Sequence, residues 1–157
     1  MDFIMRKTLT VAAIVGLLAA CGATSSEQSD AAMNDATTVL SAAQLQHHNW
    51  ELVSVNGEAI TVLEGFSVPN LEIGEKLTAN GNAGCNNFFG QVELEGNSLR
   101  IAQMASTMKM CPEEVMTYEM AMSQGLSDWN DVTLTKQTLT LENDINTLEF
   151  TLKDWVH

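Results

Sequence analysis

Basic residues are scarce in this chain. Seven Lys and Arg stand against 20 Asp and Glu in 157 residues, a formal net charge of −13. A surface of that sign repels phosphate backbones, which argues against nucleic acid as a partner. Histidine is scarcer still. His47, His48 and His157 are the whole set, and no Ser-His-Asp or Cys-His arrangement surrounds a candidate nucleophile. The acidic residues are scattered, and no carboxylate pair is set out as general acid and base. Strand-helix-strand alternation is missing, which disfavours a doubly wound nucleotide-binding fold. Long internal repeats are missing too. The apolar run at residues 9–20 is about a dozen residues long, too short for a bilayer-spanning helix, which needs about 20.

That short run has its own meaning. Arg6 and Lys7 precede it, and small residues and a cysteine end it, "LAAC" at residues 18–21. Basic region, apolar run and small-residue exit together form a secretory signal. The ending resembles a bacterial lipobox, which implies that Cys21 is lipidated and becomes the new N-terminus; the alternative is an ordinary signal with a coincidental cysteine. Met5 offers a second start, since "MRKTLTV" opens the basic region directly. Several acyl chains on Cys21 would anchor stably where one would not. Gly22 follows, and the absence of Asp there points by analogy to the outer membrane, with the protein facing the periplasm.

Residues 22–43 are rich in Ala, Ser, Thr and Asp and contain no aromatic residue. They read as a flexible tether. The expected organisation is a signal at 1–20, a lipidated cysteine and linker at 21–43, and one domain at 44–157. Without Arg6, Lys7 and Asp2, five basic residues face 19 acidic ones, a net charge of −14. Such a domain avoids lying flat on anionic lipid.

Most of the domain reads as short strands. Trp50, Leu52 and Ser54 alternate with Val53 and Val55 before an Asn56-Gly57 hairpin turn. Leu71, Ile73, Leu77 and Ala79 mark a second region. Val92 and Leu94 pair across "EGNS" with Leu99 and Ile101. Val132 and Leu134, Leu139 and Leu141, then Leu148, Phe150 and Leu152 close the chain. One segment breaks the rhythm. Pro112, Glu113 and Glu114 suit a helix start, and Val115, Tyr118, Met122 and Leu126 form a stripe at helical spacing. Gly125 sits near the end, where helices often stop. Seven or eight strands with short links and one main helix predict an α+β domain. Its sheet is antiparallel and strongly curved, and the helix covers its open side. Trp50, Trp129 and Trp155 are expected in the core and at its closure, and His47-His48 at the edge of the first strand.

Three features carry possible chemistry. The run "GNAGCNNFFG" at residues 81–90 could cradle a ligand, but no Gly-Lys-Ser/Thr follows it. Its glycines and asparagines (Gly81, Asn82, Gly84, Asn86 and Asn87) read as a source of positive φ for a tight bend or bulge, with Phe88 or Phe89 entering the core. Cys85 and Cys111 are the cysteines left once Cys21 is assigned to lipid. In an oxidising compartment they are expected to form a disulfide; a nucleophilic, free or metal-bound thiol is the alternative. Six of nine methionines, Met104, Met108, Met110, Met116, Met120 and Met122, lie within 19 residues. They suit either a core or flexible binding groove, or soft-metal (copper) ligation, so a soft-metal or hydrophobic-ligand carrier is the alternative to a partner-binding role.

Together "GCNNFFG" at 84–90, "ASTMKMC" at 105–111 and "LQHHNWELVSVNGE" at 45–58 resemble the META/HslJ family, over nearly all of residues 45–157. The family motif falls on Gly84, Cys85, Asn86, Phe88, Gly90, Thr107 and Met108. The resemblance implies an antiparallel half-barrel packed on a helix. It implies a role in envelope or heat stress and in tolerance of novobiocin-type antibiotics, through a protein partner or small ligand. It implies no enzyme activity, no catalytic residue, no metal and no cofactor. A monomer is expected.

Overall fold

The structure of the protein, a computed structural model, describes residues 39–155. Cys21, the signal, the greater part of the tether and His157 lie outside the described residues. Packing is already present at Leu40, which is buried in the core, ahead of the expected boundary at 43. A single-turn helix α1 (Ala42–Leu45) follows, opened by a capping box between Ser41 and Gln44. Leu45 is fully buried.

Strand β1 (His48–Val55) buries His48, Trp50, Leu52 and Ser54 on one face. Alternation of side chains along a strand makes this the core face, as the sequence predicts. Asn56 and Gly57 have φ of 54° and 79°, the positive pair that a tight hairpin turn needs. They lead to β2 (Glu58–Ala59). The next strands are β3 (Asn70–Ile73), β4 (Thr78–Asn82), β5 (Asn87–Glu95) and β6 (Ser98–Ser106). Helix α2 (Glu113–Ser127) comes next, then β7 (Asn130–Leu134), β8 (Thr138–Glu142) and β9 (Thr147–Trp155).

All these strands pair antiparallel. The expected half-barrel is corrected in one respect. The sheet closes, because β1 pairs along its whole length with β9, from His48 opposite Trp155 to Val55 opposite Leu148. Eight strands, β1 and β3 to β9, form the ring, and β2 is a short addition on β1. Closure removes the exposed edge strands that an open sheet would present. The seam is also held by polar groups. Thr147 N donates to Asn56 Oδ1 at 2.8 Å, and Ser54 Oγ donates to the Glu149 carboxylate.

The ring is weakest between β6 and β7, which pair only at Ser98–Asp131 and Leu99–Asn130. There α2 packs against β6 and β9. Val115, Met122 and Leu126 are buried as the helical stripe predicts, while Tyr118 is half-buried and accepts the Thr61 N–H at 2.9 Å. Gly125 lies near the end of the helix, as expected, two residues before it stops at Ser127. A Cβ at Gly125 would lie 2.8 Å from Leu148 Cδ1, so the glycine lets α2 approach β9. Trp50, Leu52, Leu71, Ile73, Leu99, Ile101, Met122, Leu139, Leu141 and Phe150 fill the interior, as in small barrels. Trp129 is a correction: it is half-buried, with Arg100 stacked 4.7 Å from its ring centroid. The Trp155 side chain lies outside the described residues. His48 is buried and stacks on Trp50 at 5.3 Å.

Candidate functional site

The motif at residues 81–90 builds the turn from β4 into β5. Ala83 N donates to Asn86 O at 2.8 Å, closing the turn. Gly84 has φ of +116°, a conformation that L side chains rarely adopt. It alone among the motif's glycines and asparagines has positive φ, which corrects the expectation for the others. Gly81 and Gly90 are required by space instead. A Cβ at Gly81 would sit 2.1 Å from the Asn70 carbonyl oxygen, and one at Gly90 would sit 2.5 Å from Ile101 Cγ2. Phe88 enters the core and Phe89 is 63% exposed.

The asparagines work through their side chains. Asn82 Oδ1 accepts the Gly84 N–H and Asn82 Nδ2 donates to Asn87 Oδ1, both at 2.8 Å. Asn86 is buried and clasps the segment after β6. Its Oδ1 accepts from Thr107 Oγ1 at 2.8 Å and from Lys109 N at 2.7 Å, and its Nδ2 donates to Lys109 O at 3.1 Å. Thr107 Oγ1 also accepts the Asn87 N–H at 3.2 Å. An amide is suited to this, since it offers an acceptor to the N–H and a donor to the C=O of one residue.

Below the turn lies Glu119 of α2. Its Oε2 accepts the Asn86 N–H at 2.9 Å and the Cys85 N–H at 3.3 Å, although the residue is buried. Successive backbone N–H groups that converge on an anion form a nest, and such charge-assisted bonds offset the cost of burying a carboxylate. The sequence reading did not single out Glu119. A signal was present: Val115, Glu119, Met122 and Leu126 recur at i, i+4, i+7 and i+11, so an acid stands inside the apolar stripe.

Cys85 and Cys111 form a disulfide with Cα atoms 6.0 Å apart. Residues 107–111 are therefore held at both ends, by Thr107 and Asn86 at one and by sulfur at the other. The carried-over residues Gly84, Cys85, Asn86, Phe88, Gly90 and Thr107 are thus brought together, or into the adjoining core, as one structural joint.

The methionines are not brought together. Met122 is fully buried in the core, so its place on a candidate surface is corrected. Met104 and Met116 are half-buried. Met108 and Met110 are each 96% exposed and Met120 is 56% exposed. These exposed three flank joint residues: Met108 and Met110 lie either side of Lys109, and Met120 follows Glu119. A wholly exposed thioether and a core one do not share an ion, so the six make no single soft-metal set.

Surface clefts are modest. One of about 550 Å³ is lined by Ala43, Gln44, His48, Trp50, Leu134 and Thr135. Another, of about 330 Å³ between β1, β2 and α2, has mixed polar lining from Asn56, Glu58, Thr117 and Tyr118. Among the described residues, no group of three or more His, Cys, Asp or Glu could hold a metal ion.

The architecture has counterparts among known proteins. Heat shock protein HslJ of Escherichia coli (strain K12) is 31% identical over 151 residues, 96% of this chain and 98% of that protein. A protein solved by NMR is 33% identical, with a TM-score of 0.64 over 73% of this chain and 97% of its own. A second NMR structure, of a protein from Burkholderia xenovorans, is 23% identical, with a TM-score of 0.59 over 71% of this chain and 86% of its own. At that identity it speaks for the fold alone. The META domain model matches residues 43–155, and with that match this chain belongs to the META-domain, HslJ-like family.

Proposed function

We propose that this protein is a non-enzymatic member of the bacterial envelope stress response that works by docking a protein partner on the methionine face of residues 107–111. In this reading Cys21 is lipidated, the anchor lies in the outer membrane, and the domain faces the periplasm as a monomer. Tolerance of novobiocin-type antibiotics follows through the partner. The stress role rests on the likeness to a protein named for heat shock.

One observation carries the docking role. The backbone of residues 107–111 is fastened by Asn86, Thr107 and the disulfide, yet Met108 and Met110 are 96% exposed. A segment ordered before binding loses less entropy when a partner arrives. Thioether side chains then adapt to the partner's contours. A closed core filled by its own side chains favours this over carriage of a ligand inside the barrel.

The test is photocrosslinking in living cells, with the reactive residue placed at position 108 or at exposed Ile145. The expected result is one dominant adduct from 108 and not from 145. It should be lost with Met110→Ser and be reproduced with the two purified proteins. Equal adducts from both positions, or none from 108, would reject docking at this face. Labelled acyl chains that fail to enter the wild-type protein at Cys21 would reject the anchor.

A further inference from the structure

We propose that Met108 and Met110 are a reversible oxidation site, at which a two-electron oxidant of the hypohalous acid or hydroperoxide class turns an apolar face polar without unfolding the domain. The regulatory consequence rests on the docking reading above; the oxidation chemistry does not.

Three observations converge on these two residues. First, exposure separates the methionines sharply. Met108 and Met110 are 96% exposed, Met120 56%, and Met122 fully buried. Thioether oxidation requires that the oxidant reach the sulfur lone pair, so the same chemical group has very different access along this chain. Second, Cys85 and Cys111 are joined to each other. The described residues therefore offer no thiolate to compete, and thioethers become their softest nucleophiles. Third, the contacts that hold residues 107–111 are made by the Thr107 N–H and Oγ1, the Lys109 N–H and C=O, and the disulfide. The exposed methionine side chains are not among them. Adding oxygen to Met108 or Met110 removes no hydrogen bond of the joint.

The step balances. A sulfur lone pair takes up the oxygen of hypochlorous acid; sulfur loses two electrons, and chloride and a proton leave. With a hydroperoxide the leaving product is water or the corresponding alcohol. The thioether becomes a sulfoxide, a polar and chiral group, and methionine sulfoxide reductases reverse the change. Oxidation of Met122 would instead place that polar group in the core.

The experiment exposes the purified full chain to substoichiometric hypochlorous acid and follows gain of oxygen by peptide mass spectrometry. Met108 and Met110 should oxidise about 10-fold or more faster than Met122, with Met120 between. The near-ultraviolet circular dichroism spectrum should stay unchanged, and a sulfoxide reductase should restore the starting masses. Oxidation of Met122 at a matching rate, or loss of tertiary signal in step with Met108 and Met110, would overturn the site. Total protein on the same blot serves as the loading control, and position 145 as the negative control, while the adduct from 108 is measured with Met110 reduced or oxidised. A fall of about 10-fold on oxidation supports the switch, and an unchanged adduct overturns it. Absence of the adduct from the reduced protein is the separate failure of the docking reading, and the mass-spectrometric result then stands by itself.

Discussion

The backbone N–H of Asn86 donates to the side-chain carboxylate of Glu119 at 2.9 Å, across 33 residues of chain. The Cys85 N–H joins it at 3.3 Å. One buried oxygen thus holds the turn that carries the family motif onto the main helix. Replacing Glu119 by Ala leaves two buried donors without a partner, each worth about 1–3 kcal/mol. Glu119→Ala should lower stability by about 3 kcal/mol in urea unfolding of the oxidised protein, and Glu119→Gln, which keeps an acceptor, by less. Equal losses would mean that volume rather than hydrogen bonding matters here.

Asn86 gives a sharper test because it both donates to the Lys109 carbonyl and accepts from the Lys109 N–H. Asn86→Asp keeps the acceptor and loses the donor. Its expected cost is about 1–2 kcal/mol. Hydrogen exchange at the Lys109 amide should accelerate with Asn86→Ala, while amides of β8 and β9 keep their protection. Uniform acceleration across the domain would show that Asn86 has no special hold on this segment.

The Cys85–Cys111 disulfide spans 26 residues. Its removal through Cys85→Ser with Cys111→Ser should cost about 3 kcal/mol by the chain-entropy estimate. Limited proteolysis should then cut within residues 107–111 before any other site of the described domain. Free thiols at both positions in native material, read by alkylation and mass spectrometry, would contradict the pairing.

Gly81 and Gly96 make a matched pair. A Cβ at Gly81 meets the Asn70 carbonyl oxygen at 2.1 Å, and the backbone has no rotamer with which to yield. At Gly96 it meets nothing within 4 Å, and only its φ of +60° resists a side chain. Gly96→Ala should cost about 1 kcal/mol. Gly81→Ala should cost at least about 3 kcal/mol, as an overpacked site does, and should disturb β3 and β4 in NMR spectra.

Methionine truncation should divide the same way. Met122→Ala opens a cavity in the core and should cost about 2–5 kcal/mol. Met108→Ser and Met110→Ser should each stay within about 0.5 kcal/mol of the parent, as surface changes do. Comparable losses at all three would remove the distinction on which the docking face depends.

Much of this was legible in the residues. Trp50, Leu52 and Ser54 face inward as their alternation predicts, and Asn56-Gly57 turns the chain as its dipeptide predicts. Val115, Met122 and Leu126 line the buried side of the one long helix. The cysteine pair followed from the count of cysteines and the expected compartment. Less legible were the roles of the individual glycines. Gly81, Gly84, Gly90 and Gly125 look alike in sequence, and they serve one positive φ and three close approaches.

By itself, then, the sequence determined the strands, the hairpin turns, the helix and the family. Each depends on neighbours within a few residues or on a motif that can be read directly. Only the tertiary structure decided that β1 closes on β9, that Glu119 meets the Cys85–Asn86 turn, and that Met122 is buried while Met108 and Met110 are bare. Those facts arise between groups tens of residues apart, about a hundred at the β1–β9 seam. No local period encodes such meetings; they exist once the closed sheet and helix bring the groups into contact.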